Sequence, residues 1–134
     1  MLRLLPPLCW TGLIAYFSGG QWSGDHTFAW LGPLLRALLP NASPETLAAA
    51  HLLIRKAGHV IEYAVLAGLW RRYLGGGAWA PLGIAVLTAC FDELRQSFTP
   101  GRVGSLVDVF LDGTAAATCL GLIALHARLR GAVS

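Results

Sequence analysis

The residues able to do chemistry fall in three short stretches. One carries Arg55, Lys56, His59, Glu62 and Tyr63; the next Asp92, Glu93, Arg95 and Gln96; the last Arg102, Ser105, Asp108 and Asp112. At about 100° per helical residue, Arg55 and His59 lie about 40° apart and His59 and Glu62 about 60° apart. Asp92 and Gln96 share a face, with Glu93 beside them, and Ser105, Asp108 and Asp112 follow an i, i+3, i+7 pattern. Each stretch is a polar stripe on a helix. A histidine among several carboxylates supplies general acids and bases. Arg55, Lys56 and Arg102 supply cations for an anionic headgroup such as a phosphate. In a catalytic arrangement His59 or Glu62 is the base, Asp92 and Glu93 its partners or ligands, and Arg102 the anion clamp. Tyr63, Gln96, Ser105, Asp108 and Asp112 complete the substrate-binding set. His59 with two carboxylates also resembles a mixed nitrogen and oxygen metal site. With one well-placed histidine, the expectation is no cofactor, with a divalent metal as the variant.

The elements that position these groups are apolar. Of 134 residues, 55% are hydrophobic and 13% charged, against about 25% charged in soluble domains. So few charges leave too little polar surface to coat a water-soluble globule of this size, and the expectation is an all-α integral membrane bundle forming one domain over residues 1–134. Four spans are expected, at about 4–17, 47–73, 79–98 and 103–125. The first is short for a crossing of about 20 residues and resembles a secretory leader; a retained helix is expected, because only further apolar segments follow it. Residues 28–39, with Trp22 and Trp30 nearby, fit a helix lying in the interface. The order Ser43, Pro44, Glu45 is a helix start, the Gly75, Gly76 and Gly77 run a break, and Thr99, Pro100 and Gly101 a turn.

Arg3, Arg71, Arg72, Arg128 and Arg130 gather on one side of a four-span arrangement. That side is cytoplasmic by the positive-inside rule, so both termini are expected there, in a multi-pass protein of the plasma membrane. All three polar stripes then meet at the outer side. A charge at the bilayer centre costs roughly 2.5–3.5 kcal/mol on insertion scales. Arg55, Lys56, Arg95 and Arg102 face Glu62, Asp92, Glu93, Asp108 and Asp112, a set that nearly neutralises itself and sums to zero once His59 is protonated. Interhelical glue accounts for two or three polar residues; this chain places ten or more at one depth. Asp112 is the best candidate for pure glue, and Lys56 and Arg102 for snorkelling.

Nucleic-acid binding is excluded: the basic residues are scattered at helix ends, with no interleaved aromatic stacking motif. No nucleophile elbow, P-loop or HExxH occurs. Cys9, Cys90 and Cys119 are odd in number, lack metal spacing and read as small apolar residues.

The run from Lys56 through His59 to Glu62 and Tyr63 resembles the Lys-x-x-His-x-x-Glu-Tyr signature of the VanZ-like family. Asp92, Glu93, Gln96, Phe98, Pro100, Gly101 and Arg102 resemble its Asp-Glu-x-His-Gln-x-Phe-x-Pro-Gly-Arg block. Ser105, Asp108 and Val109 resemble its Ser-x-x-Asp-Val block. The order and spacing match from about 56 to 113. Arg95 stands where the family usually has histidine, and Asp112 where asparagine is common. The resemblance implies a multi-spanning envelope protein. It also implies a link to teicoplanin, a lipid-tailed glycopeptide to which the founding member is associated with low-level resistance. The expected partner is a membrane lipid or lipid-linked envelope intermediate. Enzymatic processing of that lipid and non-catalytic binding or transport of an amphiphile both remain open.

Overall fold

The computed structural model describes residues 2–131 and contains five α-helices: α1 (Leu5–Phe17), α2 (Gly24–Leu38), α3 (Pro44–Leu74), α4 (Trp79–Gln96) and α5 (Leu106–Gly131). The all-α class follows directly. The expected helix starts and stops are in place. Ser43 Oγ accepts the Thr46 amide at 3.3 Å, with Pro44 opening α3. The helix ends on Gly75, whose φ of +77° only glycine adopts without strain. Gly76 and Gly77 also have positive φ, so the triple glycine turns the chain sharply into α4.

Helices α3, α4 and α5 form the centre, with α1 and α2 against α3. The core is built from Ile14, Tyr63, Leu66, Ala67, Ala85, Ala89, Ala116 and Leu120. Four of these eight are alanines, and small residues let helix backbones approach closely, as in membrane bundles. The Trp10 indole donates to the Glu62 carbonyl at 2.9 Å, pinning α1 to α3. Phe28 meets His51 edge-on at 5.2 Å, pinning α2 to the same helix. The segment expected in the interface is therefore a full helix docked on α3. It presents Trp30 on the outside and carries Pro33 within it.

Beside this apolar core, several polar side chains are buried and several large apolar ones exposed. Asp92, Glu93, Gln96 and Asp112 are buried, whereas Trp30, Trp79, Phe98, Val103 and Phe110 are exposed. An exterior of this kind is suited to lipid. Among the described residues, Leu106–Gly131 is the one helix long and apolar enough to cross a membrane by length and composition. Leu2–Phe17 is apolar but shorter. Helices α3 and α4 do not meet that description.

Candidate functional site

Three helix segments and one turn bring the polar stripes to a common depth. From α3, Arg55, His59 and Glu62 face a cavity of about 230 Å³. Asp92 of α4 and Arg102 of the α4–α5 turn complete its charged wall. The remaining lining is Phe17, Ser18, Trp22 and Thr27, from the end of α1, the following turn and the start of α2.

Within and behind this wall, protein groups engage most of the acids. Asp92 accepts from Arg95 Nη2 at 3.1 Å and from Gln96 Nε2 at 2.9 Å. Gln96 Nε2 also reaches Ser18 Oγ at 3.0 Å and, more loosely, Glu93 Oε1 at 3.4 Å. The Ser105 amide donates to Glu93 Oε2 at 2.8 Å, while Ser105 Oγ accepts the Asp108 amide at 3.3 Å and caps α5. Asp112, 1% exposed, places Oδ1 3.3 Å and Oδ2 3.4 Å from His59 Nδ1.

Seven groups were expected on one cavity: His59, Glu62, Asp92, Glu93, Gln96, Arg102 and Asp108. The structure brings four of them to it and adds Arg55. Glu93 and Gln96 stand behind the wall as supports. Asp108 pairs with Lys56, and neither lines the cavity. Tyr63 sits fully buried in the core, its hydroxyl without a hydrogen bond. Asp112 lies beneath His59, and Ser105 holds the start of α5 against Glu93.

Arg102 does not snorkel. One nitrogen, Nη2, donates to the carbonyls of Phe17, Gly19 and Trp22 at 3.1, 3.1 and 2.8 Å. Burial lowers its pKa, and Arg55 adds to the effect, while Asp92 and Glu93 oppose it. An arginine nevertheless remains charged. Its clamp is on the protein's own backbone, which it ties down as the roof of the cavity. Arg55 differs: it makes no hydrogen bond or ion pair among the described residues and lines the cavity. The Glu62 carboxylate is likewise unengaged there. These two, with Arg102 Nε, which is buried without a hydrogen-bond partner, have bonding capacity to offer a ligand.

Ser18, Trp22 and Thr27 were not singled out from the sequence. Trp22 stood out as interfacial, but nothing in its spacing linked it to residues 55–62, because long-range docking of α1 and α2 decides it.

The family model described as VanZ/LLP1 matches residues 4–127, almost the whole chain. The chain belongs to the VanZ/LLP1 family. No curated protein and no solved structure matches it. For this VanZ/LLP1 member, all three sequence blocks that carry the resemblance converge around His59: the first supplies His59 and Glu62, the second Asp92 and Arg102, the third the Ser105 support.

Proposed function

We propose that this protein is a multi-pass plasma-membrane protein with both termini cytoplasmic, whose cavity opens to the outer leaflet. There it binds the anionic headgroup of an envelope lipid or lipid-linked intermediate. The observation that carries this reading is the state of Arg55. It is a cavity-lining guanidinium with no hydrogen bond or ion pair among the described residues, beside a second guanidinium committed to the roof. Arg55 is half-buried and makes no close ion pair, and an anionic group entering the cavity supplies one through charge-assisted bonds. Glu62 accepts from hydroxyl or amine groups of the same headgroup. The family's link to a lipid-tailed glycopeptide fits a site of this kind.

A second reading, chemical processing of the bound lipid, is favoured by one observation: His59 faces the cavity while Asp112 stands at its Nδ1. That pairing orients an imidazole for proton transfer. Purified protein incubated with envelope lipid extract and analysed by mass spectrometry separates the two. Retention of an unmodified anionic lipid supports binding, and conversion supports processing. Absence of retained anionic lipid, or equal retention by Arg55→Ala, refutes the site.

A further inference from the structure

Beneath the cavity, His59 of α3, Glu93 of α4 and Asp112 of α5 each present one ligand-type atom, and all three atoms lie within 4.8 Å of one another. Each comes from a different helix. We propose that these three side chains hold a single first-row divalent metal ion, zinc or manganese, at the floor of the cavity.

The argument begins with His59 and Asp112. A charge-assisted N–H···O bond is about 2.7–2.9 Å long. His59 Nδ1 instead stands 3.4 Å from Asp112 Oδ2, toward which it is directed, and 3.3 Å from Oδ1, so both contacts are long. That is a slack geometry for a hydrogen bond. It is the right spacing for two donors on one ion: bonds of about 2.0–2.2 Å in a tetrahedral arrangement place neighbouring ligand atoms about 3.3–3.6 Å apart. Glu93 closes the triangle. Its carboxylate is already oriented by the Ser105 amide at 2.8 Å, the outer support that metal-binding carboxylates commonly have.

A second observation points to the same place. Asp112 is 1% exposed, and its Oδ1 has no hydrogen-bond donor. A buried carboxylate oxygen without a donor costs about 1–3 kcal/mol or more; coordination removes that cost. One imidazole nitrogen with two carboxylate oxygens suits zinc or manganese better than calcium or magnesium, which favour all-oxygen shells. Three protein ligands leave an open position. His59 is the one member of the three that also lines the cavity, so a headgroup oxygen there is the candidate for the fourth ligand. Only the identity of this fourth ligand, an anionic headgroup oxygen, rests on the function proposed above.

The test uses untagged full-length protein in detergent, its thiols alkylated and metals stripped by chelator dialysis. Zinc and manganese are titrated separately, with magnesium as the control, and bound metal is measured by mass spectrometry. The expected result is about one zinc or manganese per chain, a raised thermal midpoint, and at least a tenfold loss of affinity in Asp112→Asn and Glu93→Gln. Binding well below one per chain with no thermal shift overturns the site. So does equal affinity in both variants, or magnesium binding as tightly. Should either variant fail to elute as a helical, monodisperse species, His59→Gln carries the same comparison. Retention of anionic lipid by protein that binds no zinc or manganese overturns the metal site alone. One bound zinc with no lipid retained overturns the lipid reading alone.

Discussion

Arg95 fastens α4 to α1 by donating to the Ala15 carbonyl at 2.7 Å. The same nitrogen lies 3.1 Å from Asp92 Oδ1, so a single guanidinium links the end of the short first helix to a carboxylate of the cavity wall. Arginine at this position thus has a structural task, at the place where the family resemblance leads one to expect histidine.

Replacing Arg95 with alanine removes the strap while leaving the hydrophobic contacts of α1. Bonds to charged groups contribute about 1.5–3 kcal/mol, but this side chain is 45% exposed. Screening reduces the expected loss to about 1 kcal/mol. Thermal unfolding in detergent should report that loss with membrane insertion unchanged. An unaltered unfolding midpoint would mean that the bond to Ala15 does not hold the helix.

Arg102→Ala should have a more local effect. Three carbonyls lose their donor, and the Gly20–Trp22 turn loses its anchor. Hydrogen–deuterium exchange over residues 17–23 should rise, with a stability cost of about 1–3 kcal/mol. Arg102→Lys should restore part of the protection, because an ammonium also has several hydrogens to donate. Equal exchange in wild type and Arg102→Ala would exclude the roof function.

Much of this arrangement is legible in the sequence because it depends on local rules. The start of α3 is written in Ser43 and Pro44, its end in Gly75, and the inward stripe in the helical spacing of Arg55, His59 and Glu62. That the three stripes meet was readable too, since buried charges must compensate one another. What spacing does not encode is which groups compensate which. Lys56 adjoins Arg55 in sequence, yet it pairs with Asp108 while Arg55 faces the cavity. Tyr63 follows Glu62, yet one step of about 100° carries it from the cavity into the core. Asp92 and Glu93 look like free acids on paper; Gln96, Arg95 and the Ser105 amide occupy their oxygens. The contributions of Ser18 and Thr27 depend on how α1 and α2 dock, which no local pattern specifies.

The orientation proposed from arginine placement is open to direct measurement. Helix α4, with 18 residues, is about 27 Å long, close to the hydrocarbon thickness of about 30 Å. Reporter fusions after Gly76 and after Thr99 should therefore fall on opposite sides of the membrane, the first cytoplasmic and the second external. Both reporters on one side would remove α4 as a span.

Gly104 tests how tightly the α4–α5 turn supports the site. A Cβ added there would run into the Glu93 carbonyl oxygen and Ser97 Oγ. The carbonyl is backbone at the end of a helix and has little room to yield, so the turn itself must shift. The neighbouring Ser105 amide would then move off Glu93 Oε2, the contact that fixes Glu93 beneath the cavity. Gly104→Ala should cost about 1–3 kcal/mol, the usual penalty of overpacking, and should weaken ligand retention more than the stability loss alone explains. Gly121→Ala is the control: it lies in α5 with no heavy atom within 4 Å of the added carbon. As an exposed helical glycine-to-alanine change it should be neutral or stabilising by up to about 1 kcal/mol. Thermal unfolding of the two variants side by side decides the matter. If Gly104→Ala is no more harmful than Gly121→Ala, the turn does not press on Glu93, and the support assigned to Ser105 fails with it.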